Sequence, residues 1–168
     1  PAGKAALENP EDYEARASIM WAGTISHNDL TGLGRDVFMA VHQMEHELSG
    51  MYPKIAHGAG LAALWCSWAR YVYKANISRW LQYSANVWNL DIDYEHPEKT
   101  IEEAINLQEQ YYVSLGMPIG LKALGVEEAS LTKLALNCSR NKTRTLTGYK
   151  PLAYDDILAI YQMAYERG

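Results

Sequence analysis

The most apolar stretch of the chain covers residues 57–74 and reads HGAGLAALWCSWARYVYK. It is long for a strand, and it lacks the alternation of apolar and polar residues that marks a half-buried strand. Alanine and leucine, which favour helices, recur along it. We therefore predict a buried helix from Ala56 to about Lys74.

The segments on both sides of this stretch also follow helical spacing. Apolar residues recur at positions 37, 41, 44 and 48, which predicts a helix from about Asp36 to Ser49. Gly50 is expected to close this helix, and Pro53 to prevent its continuation. Five further helices are predicted, one from about residue 10 to 27 and the others over residues 77–88, 97–115, 127–138 and 154–166.

The start of the first of these helices carries its own signals. Asn9 is a good cap for free helix amides, Pro10 suits a first helical position, and Glu11 with Asp12 favours the positive end of the helix dipole. Elsewhere the chain has no convincing strand alternation, sequence repeat or low-complexity tract. We predict an all-α fold, a single helical domain of about seven helices.

Composition excludes several classes of protein. The 168 residues include 20 acidic and 15 basic ones, a net charge of −5, which argues against nucleic acid as the main partner. No apolar run is long enough to span a membrane, and no export signal opens the chain. Cys66 and Cys138 form no CxxC pair, which favours a reducing compartment and a cytoplasmic location. An all-helical chain without a GxGxxG or GxxxxGK[ST] loop offers no cradle for a dinucleotide.

Three of the five histidines are close in sequence: His42, His46 and His57. His42 and His46 are four residues apart on a predicted helix, so they project from the same face one turn apart. His57 stands at the head of the next helix, and a short turn between the two helices can bring it back beside the pair. Converging imidazoles are a common partial ligand set for first-row transition metals, so we predict a metal site here.

Two alternatives stay open for these histidines. A pair spaced four residues apart also arises by chance, and a single histidine is more often a surface or core residue than a ligand. The spacing is not that of the HExxH zinc peptidases, since no glutamate follows His42 directly. We expect Glu45 and Glu47 to point away from the face of His42 and His46. The remaining ligands would then lie outside this chain.

Several motifs resemble one enzyme family, the iron-containing (group III) alcohol dehydrogenases, and within it the NAD(P)H-dependent butanol dehydrogenase branch. The resemblance is carried by HQMEHELSG at residues 42–50 and AHGAGLA at 56–62, with NPEDYEARA at 9–17 and MWA at 20–22. Leu152 and the run 155–157 also match, so the similarity spans essentially the whole chain. One departure is WCSW at residues 65–68, where relatives commonly carry a proline.

The resemblance implies that residues 1–168 are the helical C-terminal domain of such an enzyme, without its N-terminal α/β nucleotide-binding domain. It implies that His42 and His57 bind the metal, Fe²⁺ or Zn²⁺. His46 takes the position that faces the nicotinamide and the substrate without binding metal, and so has a catalytic and cofactor-contacting role. The missing domain would hold most of NAD(P)H and the other metal ligands. An alcohol or aldehyde is then the substrate, and the isolated chain is expected to be inactive.

Two rival interpretations remain at this stage. One is a small helical metal protein that uses His42, His46 and His57 together. The other is a non-enzymatic helical interaction domain, in which the 5 tryptophans and 12 tyrosines would mark a binding surface. We expect most of these aromatic residues to pack in the core. We also expect some apolar surface to be exposed where the missing domain docks, and a homodimer is a candidate way to cover it.

Overall fold

A computed structural model of the chain describes residues 1–167, which contain eight α-helices and no β-strand. The predicted all-helical fold class is confirmed. A short first helix, which was not predicted, precedes the seven predicted helices. Within residues 1–167, the one isolated antiparallel β-bridge joins Leu146 and Leu152 through two backbone hydrogen bonds of 2.9 and 3.0 Å. The helices are α1 (Ala2–Glu8), α2 (Tyr13–His27), α3 (Ala40–Met51), α4 (His57–Val72), α5 (Ile77–Trp88), α6 (Pro97–Ser114), α7 (Leu131–Cys138) and α8 (Tyr154–Glu166).

The chain divides into two compact units, of which the first is residues 1–38. In this unit α1 packs against α2. Asp12 caps α2 by accepting a hydrogen bond of 3.0 Å from the Ala15 amide. The prediction that Asn9 caps this helix is wrong, because Asn9 ends α1 and a turn through Pro10 separates it from α2.

The second unit begins at Met39 and has α4 at its centre. Helix α4 packs against α3, α6 and α8, which leaves Ala63, Leu64 and Ala69 with no exposed surface. The predicted buried helix is therefore confirmed. Burial of this kind stabilises the fold because the apolar area is removed from water, at roughly 25 cal/mol for each Å².

Helix α3 is fixed in place by contacts from distant parts of the chain. It packs against α4 and α7. The hydroxyl of the fully buried Tyr161 donates a hydrogen bond of 2.7 Å to the Met44 carbonyl. The Arg144 guanidinium donates a hydrogen bond to the side-chain carbonyl of Gln43, the residue before Met44. These contacts set which side chains of α3 face α4.

The end of α3 differs from the prediction. The helix runs through Gly50 to Met51, and Tyr52 is its C-cap. Gly50 has no φ in the left-handed region and adopts ordinary helical backbone, so the predicted closure by Gly50 is wrong. Met51 and Tyr52 pack against the core, and this burial continues the helix past the glycine. The connection to α4 is then only residues 52–56.

Most of the tryptophans and tyrosines noted in the sequence lie in or pack against the core of the second unit, in agreement with expectation. Neighbouring rings among Trp65, Trp68, Trp80 and Tyr83 have centroids 5.6–6.1 Å apart. Within the first unit, by contrast, the side chains of Tyr13, Met20 and Trp21 remain exposed.

Two further observations bear on the classes excluded by composition. Among the residues described, no helix has the length and apolar character needed to cross a membrane. Cys66 and Cys138 are both buried free thiols, and their burial raises the pKa of each to about 12. A thiol of that pKa holds almost no thiolate near neutral pH, so neither cysteine is suited to act as a nucleophile.

Candidate metal centre

The structure brings the three predicted histidines together. His42 and His46 stand one turn apart on α3, and His57 is the first residue of α4. The His42 and His57 rings are 4.9 Å apart between centroids, and His46 is 5.7 Å from His42 and 5.5 Å from His57. One ring nitrogen from each histidine lies within 4.8 Å of the others. The predicted convergence of the three imidazoles is confirmed.

The cluster lies at the surface of the second unit. His42 is half-buried, whereas His46 and His57 are exposed, and 46 % of the His57 side chain is accessible. This placement follows from the local sequence. A connection of only five residues, 52–56, joins the two helices, and α4 packs against α3 so that His57 at its start lies beside His42 and His46.

Glu45 is a member of the site that the sequence analysis missed. Its side chain is fully buried, and its Oε2 is hydrogen-bonded to Nδ1 of His57. Its Oε1 accepts a hydrogen bond from the Ser49 hydroxyl. The prediction that Glu45 points away from the histidine face is wrong. Glu45 follows His42 by three residues, and residues three apart on a helix are neighbours on its surface.

The space for this carboxylate comes from a glycine on α4. A Cβ at Gly60 would lie 2.6 Å from Oε1 of Glu45 and 2.8 Å from its Cγ. At Gly58, two residues earlier, a Cβ would meet nothing within 4 Å. Only the second glycine of the HGAG sequence is therefore required by packing. The signal available in the sequence was the three-residue spacing of His42 and Glu45, which makes them neighbours on the helix surface.

The donor set suits a divalent transition metal. Imidazole nitrogen is a preferred ligand of Zn²⁺ and Fe²⁺, and metal-binding histidines usually donate their second ring nitrogen to a carboxylate or carbonyl. His57 has such a carboxylate partner in Glu45. The two or three imidazoles make a partial set, since protein metal sites of this kind usually have three or four protein ligands.

The chain matches known proteins over nearly its whole length. Residues 2–165 match the model described as "Fe-containing alcohol dehydrogenase family, C-terminal". The chain is 37 % identical over 164 residues to NADH-dependent butanol dehydrogenase A of Clostridium acetobutylicum, covering 97 % of this chain and 42 % of that protein. It is 31 % identical over 166 residues to the NADPH-dependent aldehyde reductase YqhD of Escherichia coli, covering 96 % and 41 %.

A solved structure shares the fold. The crystal structure of NADH-dependent butanol dehydrogenase A from Thermotoga maritima superposes with a TM-score of 0.88 at 30 % identity, covering 96 % of this chain and 42 % of that one. The chain thus spans about two fifths of the length of the relatives that it matches. Because the family model covers almost every residue and the helical fold agrees, the chain belongs to the Fe-containing alcohol dehydrogenase family, whose C-terminal part it matches.

Proposed function

We propose that this chain is the helical, metal-binding part of an NAD(P)-linked oxidoreductase that interconverts alcohols and aldehydes. In this proposal residues 1–168 form the C-terminal domain of the enzyme, and His42 and His57 hold a divalent metal, Fe²⁺ or Zn²⁺. The observation that carries the proposal is the pair of imidazoles at 4.9 Å between ring centroids, contributed by two helices of a chain of this family. The names of the relatives, a butanol dehydrogenase and an aldehyde reductase, support the substrate class.

The chemistry expected of the site divides between the metal and the protein. A bound divalent metal would supply Lewis-acid polarisation of the substrate oxygen, and the nicotinamide would supply or accept the hydride. His42 and His57 bind and orient the metal. His46 is exposed beside both of them, and in this proposal it would contact the nicotinamide and substrate and relay the hydroxyl proton, since a ring nitrogen of imidazole can accept and donate a proton.

The rest of the machinery is assigned to sequence outside these 168 residues. An N-terminal α/β domain would bind most of NAD(P)H and supply the remaining metal ligands. The isolated chain is then expected to form no NAD(P)H from an alcohol. We further propose a cytoplasmic location, in keeping with two reduced thiols.

The test is the metal content of purified variants of the two-domain enzyme, measured by elemental mass spectrometry. We expect His42→Ala and His57→Ala to lose the metal. His96→Ala, at the exposed histidine that is the N-cap of α6, is the matched control and should retain it. His46→Ala should retain the metal and lose activity. A normal metal content in the His42 or His57 variant would contradict the proposal.

A second candidate function is favoured by one observation, the proximity of a ring nitrogen from all three histidines within 4.8 Å. It is a small metal protein in which His42, His46 and His57 bind together. The isolated chain would then bind one metal tightly, and His46→Ala would weaken that binding as much as His57→Ala does.

We also propose that the apolar surface of the first unit is covered in the intact protein, by the N-terminal domain or in a homodimer. The support is the exposure of Tyr13 (77 %), Met20 (73 %) and Trp21 (65 %). Light scattering on the 168-residue chain and on the two-domain protein tests this. A chain that dimerises alone covers the surface with a second copy. If it is monomeric alone, the N-terminal domain is the expected cover.

A further inference from the structure

Glu45 is held at both of its carboxylate oxygens. Oε2 bonds to Nδ1 of His57, and Oε1 accepts from the hydroxyl of Ser49, one turn further along α3. The whole side chain is out of contact with solvent. A buried carboxylate needs such partners, because a buried charged oxygen without a hydrogen bond has a desolvation cost on the order of several kcal/mol.

The contact with Nδ1 decides which nitrogen of His57 can bind a ligand. A neutral imidazole carries its proton on one ring nitrogen and a lone pair on the other. A carboxylate accepts hydrogen bonds and donates none, so the proton of His57 belongs on Nδ1. The lone pair is then on Nε2, which is the only nitrogen of the ring left to bind a metal.

Packing keeps the carboxylate where it can do this. A Cβ at Gly60 would lie 2.6 Å from Oε1 of Glu45, so there is no room for a side chain there and the glutamate is enclosed between its own helix and α4. His57 and Gly60 lie three residues apart on α4, so both are near neighbours of the same carboxylate. Rotation of the His57 ring would break the bond to a carboxylate that has no space in which to follow it.

We propose that Glu45 is a positioning residue: it fixes His57 in the tautomer protonated at Nδ1 and presents Nε2 as the metal-binding atom. The metal-binding half of this statement rests on the proposed function, whereas the tautomer is a property of the metal-free chain. Glu45 touches neither substrate nor cofactor in this proposal. It acts only through His57.

The first measurement is the tautomer of His57 in the metal-free 168-residue chain, read from long-range ¹H–¹⁵N correlation spectra at mildly alkaline pH. We expect the proton on Nδ1 in the wild type and in Glu45→Gln, whose amide oxygen still accepts a hydrogen bond. We expect this preference to be lost in Glu45→Ala. Glu47→Gln, on the same helix, is the matched control and should leave the tautomer unchanged.

The second measurement is the affinity of the same variants for Co²⁺, made in the two-domain protein that supplies the remaining ligands in the proposed function and followed by its visible absorption. Loss of a carboxylate that orients a ligand histidine usually costs about 10–100-fold in metal affinity, and we expect that loss for Glu45→Ala. Glu45→Gln should lose less, and Glu47→Gln nothing. Circular dichroism checks that each variant folds. Should Glu45→Ala unfold, Gly60→Ala, which keeps the glutamate but displaces its carboxylate, takes its place.

The outcomes separate this proposal from the proposed function. A proton on Nε2 of His57 in the wild type, or a Co²⁺ affinity unchanged in Glu45→Ala, would overturn the role of Glu45. If the wild-type chain and the two-domain protein bind no metal, the proposed function fails. The tautomer spectra then still decide whether Glu45 positions the ring.

Discussion

A Cβ added at Gly60 on α4 would lie 2.6 Å from Oε1 of Glu45 on α3, so the buried glutamate fills the space that a side chain at residue 60 would need. This contact ties the two helices that carry the histidines together at a point where no larger residue fits. It also makes the site sensitive to substitutions at positions that hold no candidate ligand.

The first prediction concerns that glycine. Gly60→Ala forces the buried carboxylate of Glu45 to move, and overpacking of this kind usually costs about 1–3 kcal/mol of stability. Gly58→Ala is the control on the same helix, because its Cβ meets nothing within 4 Å. Its gain in helix propensity should raise stability by up to about 1 kcal/mol. Urea denaturation measures both, and a Gly60→Ala protein as stable as Gly58→Ala would contradict the packing described.

A second prediction concerns the anchor of α3. Tyr161→Phe removes the hydroxyl that donates to the Met44 carbonyl and keeps the buried ring. We expect a loss of about 1 kcal/mol in the free energy of unfolding, since one buried hydrogen bond is lost. Tyr94→Phe, at a side chain that is 82 % exposed, should change nothing measurable in the same denaturation experiment.

A third prediction concerns pH. Burial alone would raise the pKa of Asp156, but hydrogen bonds from Tyr71, Lys150 and the Ala153 amide lower it overall from 3.8. A carboxyl whose pKa is lower in the folded state stabilises the protein at pH values above its unfolded pKa. This contribution is lost as the pH falls through the folded pKa.

The variant Asp156→Asn tests this statement. It should be less stable than the wild type at neutral pH, by at most about 1 kcal/mol for a partly exposed charge at a helix N-terminus. The difference should disappear once the pH is below the lowered pKa. Asp155→Asn, at the exposed neighbour, is the control for the helix dipole alone. A difference that stays constant on acidification would show that the charge of Asp156 is not responsible.

A fourth prediction concerns the thiols. Burial raises the pKa of Cys66 and of Cys138 to about 12, and both side chains are almost inaccessible. Iodoacetamide should therefore modify neither residue in the folded chain near neutral pH, and both in denaturant, as read by intact mass. Alkylation of either thiol under native conditions would mean that its region opens or is packed less tightly than described.

The helices with strong amphipathic patterns and clear ends were predicted from sequence at their observed bounds. Helix α5 covers the predicted residues Ile77–Trp88, and α8 the predicted Tyr154–Glu166. The N-terminus of α5 is marked by Asn76, whose side chain accepts from the Arg79 amide at 3.1 Å. Where capping and periodicity agree, local sequence was sufficient.

The errors arose where two local signals competed or where tertiary packing decided. Asn9 and Asp12 are both good caps three residues apart, and only the presence of α1 before Asn9 decides between them. Gly50 is a common helix terminator, but the burial of Met51 and Tyr52 outweighs it. The pairing of His57 with Glu45 depends on how α3 and α4 face each other, which spacing within one helix does not determine.

The three histidines lie within residues 42–57, and this has a consequence for the order of folding events. The α3–α4 hairpin closes only a short loop, and short loops close within about 10–100 ns at small entropic cost. Two hydrogen bonds that hold α3 to the rest of its unit come from far along the chain. Cys138 is 95 residues from its partner Gln43, and Tyr161 is 117 residues from its partner Met44. We therefore expect the histidines to meet early in a loosely held hairpin. The site would gain its final geometry only when the last helix docks, although that helix carries none of the three.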